Sequence, residues 1–380
     1  MGTAAPRVVV ASDSFKGSLS SAEVGAAVAT GLRDRVPAAD VAVVPVADGG
    51  EGTVAAACRA GLAPVPVPVR GPTGEPVEAT IAVGTLAGER AVVVEMADAC
   101  GLGRLPEGVP APLTASSRGL GDAIRGALDL DPEVLVVGVG GSASTDGGAG
   151  MLAALGARVL DERGTPLREG GAALAHVRAV DLDGLDPRLR DVRVVLAADV
   201  DSPLTGPYGA ARVFAPQKGA RPPDVELLDA ALARWAGVVA PGAAADPGAG
   251  AAGGVGFALL AVLGATRRSG VDVVLDLVGL DAALAGADLA VTGEGSLDDQ
   301  TLAGKAVAGV AHRATTHAVP VVAVCGVDRL GPRAAARLGL AATYPLSDLE
   351  PDPARSVKDA RVLLRRTASR IAREWLAGPP

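Results

Sequence analysis

Seven short runs of mostly β-branched and apolar residues recur along the chain: RVVVA (7–11), VAVVPVA (41–47), RAVVVEMA (90–97), VLVVGVG (134–140), VRVVLAA (192–198), DLAVTG (288–293) and VPVVAVCG (319–326). Each ends near a small or acidic residue and is followed by a stretch rich in the helix formers Ala, Leu, Glu and Arg. The runs are continuously apolar rather than alternating, so both faces of each strand need cover. Strands joined through helices run parallel. The predicted fold class is therefore α/β.

At 380 residues the chain is long enough for about two domains of 100 to 200 residues each. Pro and Gly concentrate at LAPVPVPVRGPTGEP (62–76) and APGAAADPGAGAAGG (240–254), which are the predicted boundaries because a compact element hardly continues through them. In open α/β sheets ligands bind beyond the carboxyl ends of the strands. The polar residues crowd there: SDSFKGS follows the first run, DGGEGT the second, GSASTDGG the fourth, DVDSPL the fifth and EGSLDDQT the sixth.

Composition removes several function classes. The formal charge is −8 with no block of like charges, which argues against binding nucleic acid. Cys58, Cys100 and Cys325 are single and far apart, which excludes a disulfide framework or a Cys-x-x-Cys metal ribbon and fits the cytoplasm. The N-terminus lacks the charged and apolar regions of a signal peptide. The uncharged stretch 248–266 carries about ten strongly apolar residues, too few to span a bilayer, so a buried helix and no membrane association are expected.

Rare residues give the sharpest functional signal. The chain has 4 lysines against 31 arginines, 2 glutamines and no asparagine. Lys16 lies in DSFKGS, Lys218 with Gln217 in APQKGA, and Lys305 with Gln300 in DDQTLAGKA; only Lys358 sits in an ordinary charged helix. A compact ammonium fits a tight Gly-rich loop where a planar guanidinium does not, so three such lysines point to a polyphosphate.

The acids share those loops. Asp48 and Glu51 in DGGEGT have a spacing that serves either a hard cation such as Mg²⁺ or an N-terminal helix cap with its capping-box glutamate. Asp13, Asp146, Asp199, Asp201, Glu294, Asp298 and Asp299 raise the same pair of readings. Hydrolase chemistry is excluded: Ser142 stands in GGSAS rather than G-x-S-x-G, and His176, His312 and His317 have no partner motif.

The run VLVVGVGGSASTDGGAGM (134–151) carries a G-x-G-x-x-A pattern at Gly138, Gly140 and Ala143 directly after a strand. Such a pattern serves a dinucleotide or the phosphates of ATP; Asp161, near the interval where a nicotinamide enzyme needs an acid, lies in a turn. Neither a Walker pattern nor a protein-kinase set is present.

Seven ordered motifs carry a resemblance: DSFKGSLS (13–20), ADGGEGT (47–53), GGSASTDGGAGM (140–151), DVDSPLTGP (199–207), FAPQKGA (214–220), GAAGGVG (250–256) and TGEGSLDDQTLAGKA (292–306). The chain resembles the class I glycerate kinase family. The resemblance implies a discontinuous architecture: a Rossmann-like, doubly wound α/β domain from 1–70 and 286–380, an inserted α/β domain over 71–285, and an active site in the cleft between them. It departs from the family pattern at Ser144 and Thr145, where a Thr-Asn pair is usual, and at Ser202, where asparagine is usual.

The activity implied is ATP-dependent phosphorylation of D-glycerate with Mg²⁺, by a monomer or homodimer, giving 2-phospho-D-glycerate or, alternatively, the 3-phosphate; an NAD(P)-dependent oxidoreductase is the remoter alternative. The expected catalytic residues are Asp199 as general base, Lys16, and Asp146 orienting metal or substrate. Gly140, Gly141, Ser142, Gly147, Lys218, Thr301 and Lys305 are expected to hold ATP. Asp13, Ser14, Asp48 and Gly49 are expected to hold glycerate, and Asp48, Glu51 and Glu294 the metal.

Overall fold

The structure is a computed structural model and describes residues 5–47, 49–302 and 306–377. Among them thirteen strands form: β1 (Arg7–Ser12), β2 (Asp40–Val43), β3 (Ala63–Arg70), β4 (Pro76–Leu86), β5 (Glu89–Glu95), β6 (Val134–Gly138), β7 (Arg158–Leu160), β8 (Ala179–Asp181), β9 (Arg193–Ala197), β10 (Thr266–Arg268), β11 (Leu289–Leu297), β12 (Val321–Asp328) and β13 (Leu340–Pro345). All seven apolar runs contribute a strand. The chain divides into two compact units, 1–48 with 271–380 and the intervening 49–270.

In the first unit the sheet order is β13-β12-β11-β1-β2, and every pairing is parallel. The two-residue period of β1 sends Val8 and Val10 into a core with helices Ser21–Arg35 and Ala360–Trp375, and Val9 and Ala11 into a second core with Val271, Val307 and Val310. Both faces are thus covered, which is why the strand reads as an unbroken apolar run. Ser20 starts the first helix with a capping box: its hydroxyl accepts from the Glu23 N–H and the Glu23 carboxylate accepts from the Ser20 N–H. From β1 the chain passes to β2 on one side, and from β11 to β12 on the other, so the connections diverge between β1 and β11.

The second unit has a six-stranded sheet, β10-β9-β6-β5-β4-β3, and a separate β7–β8 pair. Its inner strands are parallel, but β5–β4 and β4–β3 are antiparallel, so the purely parallel expectation fails here.

The boundaries also move. The stretch 62–76 was expected to break the chain, yet β3 runs through it as APVPVPVR, paired in register from Ala63↔Val83 to Arg70↔Pro76. Pro64, Pro66 and Pro68 share one parity on an edge strand, so their missing N–H groups fall on the outer side while Val65, Val67 and Val69 serve the ladder. Val67 and Val69 are buried in the second unit's core, which corrects the boundary from 70 to 48. The return point moves from 286 to 271 because Val271, Leu275, Leu280 and Leu284 pack into the first unit's core. The other expected boundary, 240–254, lies inside the second unit, where helix Ala251–Ala261 is largely buried. No helix among the described residues is long and apolar enough to cross a membrane.

Candidate functional site

In the first unit the loop after β1 and the carboxyl-terminal parts of β11 and β12 border a cavity of about 320 Å³. Asp13, Ser14 and Lys16 line it from the loop after β1, Glu294 and Ser296 from the end of β11, and Asp298 from just beyond it. The Asp13 N–H donates to the Gly293 carbonyl at 2.9 Å, and Ser12 Oγ donates to the same oxygen at 3.0 Å, which ties that loop to β11. Asp13 Oδ1 accepts from the Ser14 N–H at 2.6 Å. Paired backbone bonds between Phe15 and Leu19 close a tight turn through Gly17, whose φ of +78° suits glycine, and Lys16 stands exposed on it.

Glu294 is buried, and its Oε1 accepts from Thr301 Oγ1 at 2.5 Å. Thr301 is 0% exposed, and its hydroxyl also accepts from the Asp298 N–H at 3.0 Å. Thr301, expected at ATP, thus bonds through its hydroxyl to Glu294 and orients that carboxylate. Asp48 and Lys305 fall outside the described residues.

In the second unit Asp199 follows β9 and is half-buried; its Oδ1 accepts from Ser269 Oγ and from the Gly270 N–H, both at 2.8 Å. Gly49 is buried, with φ +80°, and a Cβ there would stand 2.6 Å from the Gly270 Cα. Gly49, expected at glycerate, packs closely against Gly270.

The open question about DGGEGT resolves against the capping box. Helix Thr53–Arg59 has Gly52 as its N-cap with no side-chain cap of its own, so Glu51 lies outside the helix. The carboxylate serving that helix start is Glu95, at the end of β5, which accepts from the Gly52 N–H and the Val54 N–H at 2.9 Å each. Glu95 is 6% exposed, and burial pushes its carboxyl up to about 7 against the pull of those two N–H groups, with Asp98 and Glu51 adding repulsion. Glu51 is exposed and lines a second cavity of about 560 Å³ with Glu95, Asp98, Arg104 and Gly141. The sequence reading missed Glu95, Asp98 and Arg104.

The Gly-rich loop after β6 is closed. Gly141 is exposed and Gly140 partly so, but 142–150 are buried throughout. Asp146, 1% exposed, accepts from the Ser117 N–H at 2.8 Å, Ser117 Oγ at 2.9 Å, and the Gly148 and Gly150 N–H groups at 3.2 Å. Lys218, 2% exposed, lies beneath the loop and donates to Ser142 Oγ at 2.7 Å and to the Ser144 carbonyl at 2.5 Å. Burial pushes the Lys218 ammonium down to about 7, opposed by Asp146 and Cys100, and burial raises the Asp146 carboxyl despite its four donors.

Gly147 has φ +63°, and a Cβ there would stand 2.5 Å from Trp235 Cδ1; the indole N–H donates to the Gly147 carbonyl at 2.9 Å. A Cβ at Gly140 would stand 2.5 Å from the Gly50 Cα. Backbone crowding accounts for these glycines, and Ser142, Gly147, Lys218 and Asp146, expected at ATP, metal or substrate, make hydrogen bonds within and beneath the loop. Ser144 Oγ and Thr145 Oγ1, at the positions of the Thr-Asn departure, are buried without hydrogen-bond partners.

Among the described residues no three acidic, histidine or cysteine side chains converge into a metal cage. The donor set in the first cavity is nonetheless hard oxygen: Asp13, Glu294 and Asp298. This fits a Mg²⁺ held by one or two carboxylates, water and substrate phosphates, which needs no all-protein cage.

The model of the glycerate kinase family matches residues 8–376. A glycerate kinase of Bacillus subtilis (strain 168) is 44% identical over 325 residues, covering 84% of this chain and 85% of the relative. A protein of Escherichia coli (strain K12) named glycerate 2-kinase is 42% identical, again covering 84% and 85%. A crystal structure of a candidate glycerate kinase 2 from Salmonella typhimurium LT2 superposes with a TM-score of 0.83 at 41% identity, covering 97% of this chain and 98% of that one. The chain belongs to the glycerate kinase family and is an enzyme of that family, a phosphotransferase to an alcohol acceptor.

Proposed function

We propose that the enzyme phosphorylates D-glycerate with ATP and that 2-phospho-D-glycerate is the product. The observation that carries this reading is the cavity where the connections of β1 and β11 diverge, in which three carboxylates and the exposed Lys16 meet. The name of the Escherichia coli relative supports the 2-hydroxyl as acceptor. The oxidoreductase alternative falls with the family assignment, and the closed 142–150 loop removes the dinucleotide cradle it required.

The first unit supplies Asp13, Lys16, Glu294 and Asp298, and the second unit supplies Asp199. Asp199, oriented by Ser269 and Gly270, takes the proton from the attacking hydroxyl. Lys16 neutralises charge on the transferred phosphoryl group. Asp13, Glu294 and Asp298 would hold Mg²⁺ directly or through water, and the ion supplies charge neutralisation on the phosphates. Thr301 fixes the Glu294 carboxylate. Of the Gly-rich run, Gly140 and Gly141 keep surface with which to meet phosphate oxygens. Unpaired thiols at Cys58, Cys100 and Cys325 support operation in the reducing cytoplasm.

Phosphorus NMR of the purified protein with ATP, Mg²⁺ and D-glycerate, with an EDTA control, tests the reading. A new phosphomonoester doublet is expected. A triplet would move the acceptor to the 3-hydroxyl, and unchanged ATP with folded protein would overturn the activity.

A further inference from the structure

The first unit's cavity has a second side that the phosphoryl chemistry does not use. Besides its acids it is lined by Phe15, Leu346, Val357 and Ala360, so apolar surface shares the cavity with the polar groups. Leu346 and Ala360 flank the segment that follows β13, and Ser18 Oγ donates to the Val357 carbonyl at 2.8 Å, which ties that segment to the lysine-bearing turn. Val357 is 50% exposed although its backbone is held in place.

We infer that this apolar wall seats the nucleoside of the phosphoryl donor, with the base against Val357 and the ribose hydroxyls turned towards the carboxylates. The inference rests on the ATP-dependent reading above. Three observations support it. At about 320 Å³ the cavity is far larger than a three-carbon acid needs and reaches the size range of pockets for drug-sized ligands. Among the described lining residues the carboxylates of Asp13, Glu294 and Asp298 are acceptors for the hydroxyls of a ribose diol. A nucleobase has two apolar faces and would cover the aliphatic surface that Val357 leaves in water.

The test uses the full chain with Val357→Asp, at an exposed position where folding tolerates charge, and Val362→Asp, equally exposed but outside the cavity lining, as the charge control. Adenosine and ADP binding are followed by ligand-observed NMR, and initial rates give separate KM values for ATP and glycerate. The expected result is that Val357→Asp weakens adenosine binding and raises the KM for ATP by about tenfold, that the KM for glycerate holds, and that Val362→Asp behaves as the parent protein. Turnover with an unchanged KM for ATP in Val357→Asp, or a rise in the KM for glycerate instead, overturns the nucleoside wall and leaves the kinase reading intact. Adenosine binding that Val357→Asp abolishes, in a protein that never consumes ATP, overturns the kinase reading and retains the wall. A parent protein that binds neither adenosine nor ADP overturns the inference.

Discussion

The loop after β6 and the loops after β1 and β11 look alike as sequence and differ as structure. Each combines glycines and an acid, and each set is associated with a scarce lysine. After β1 a glycine, Gly17, closes a turn and leaves Lys16 in water beside a cavity that β11 also lines. After β6 the glycines let backbone pack against Trp235 and Gly50, and the lysine, Lys218, is buried beneath the loop with its bonds made inside the protein. Glycine next to lysine and aspartate therefore marks a tightly built loop, and burial decides whether that loop faces a ligand or a core.

The comparison breaks most visibly at its buried end. Asp146→Ala strips one acceptor from four buried donors, and we expect a loss of about 3–5 kcal/mol in unfolding free energy, measured by denaturant titration. A neutral result would mean that the loop is not held as described. At the open end Lys16→Met should lower kcat by about 100- to 1,000-fold with no change in thermal midpoint, because the side chain is exposed. A loss of stability without a loss of rate would reverse the contrast.

Smaller effects sharpen it. Gly147→Ala adds a Cβ at positive φ against the Trp235 indole, and overpacking of this kind costs about 1–3 kcal/mol, readable as a lower thermal midpoint. The smallest expected effect is in pH dependence. The folded Lys218 releases its proton at about 7 and the unfolded one at the ordinary 10.5, so between these values the unfolded chain binds more protons and stability rises with pH. Glu95 has the opposite slope: its folded value of about 7 lies above the ordinary 4.5, so its contribution is full below 4.5 and is lost as pH rises through 7. Unfolding curves of Lys218→Met and Glu95→Gln should each lose their own slope; unaltered slopes would show that neither group is shifted.

The strands were legible wherever apolar residues ran on without a break, because a strand covered on both faces leaves that trace. β3 was not, because its prolines read as a break and only its place at the sheet edge makes them harmless. β10, three residues including two arginines, and β13, LAATYP, lack the apolar run altogether. The site was legible as a set of loops through its scarce lysines and clustered acids. Lys218, Ser142 and Thr301 are buried, which local sequence does not report. Glu95 was overlooked because no glycines surround it, although it ends an apolar run at a strand's carboxyl end, where the rule that found Asp199 also applies.

The most direct test of this open-and-closed pair is hydrogen–deuterium exchange of the full chain with and without ADP and Mg²⁺. The account predicts new protection in 13–18, 294–298 and 346–360, and no change in 142–150, whose amides are already shielded. New protection confined to 142–150, with 13–18 and 294–298 unaltered, would contradict it and return the nucleotide to the Gly-rich loop.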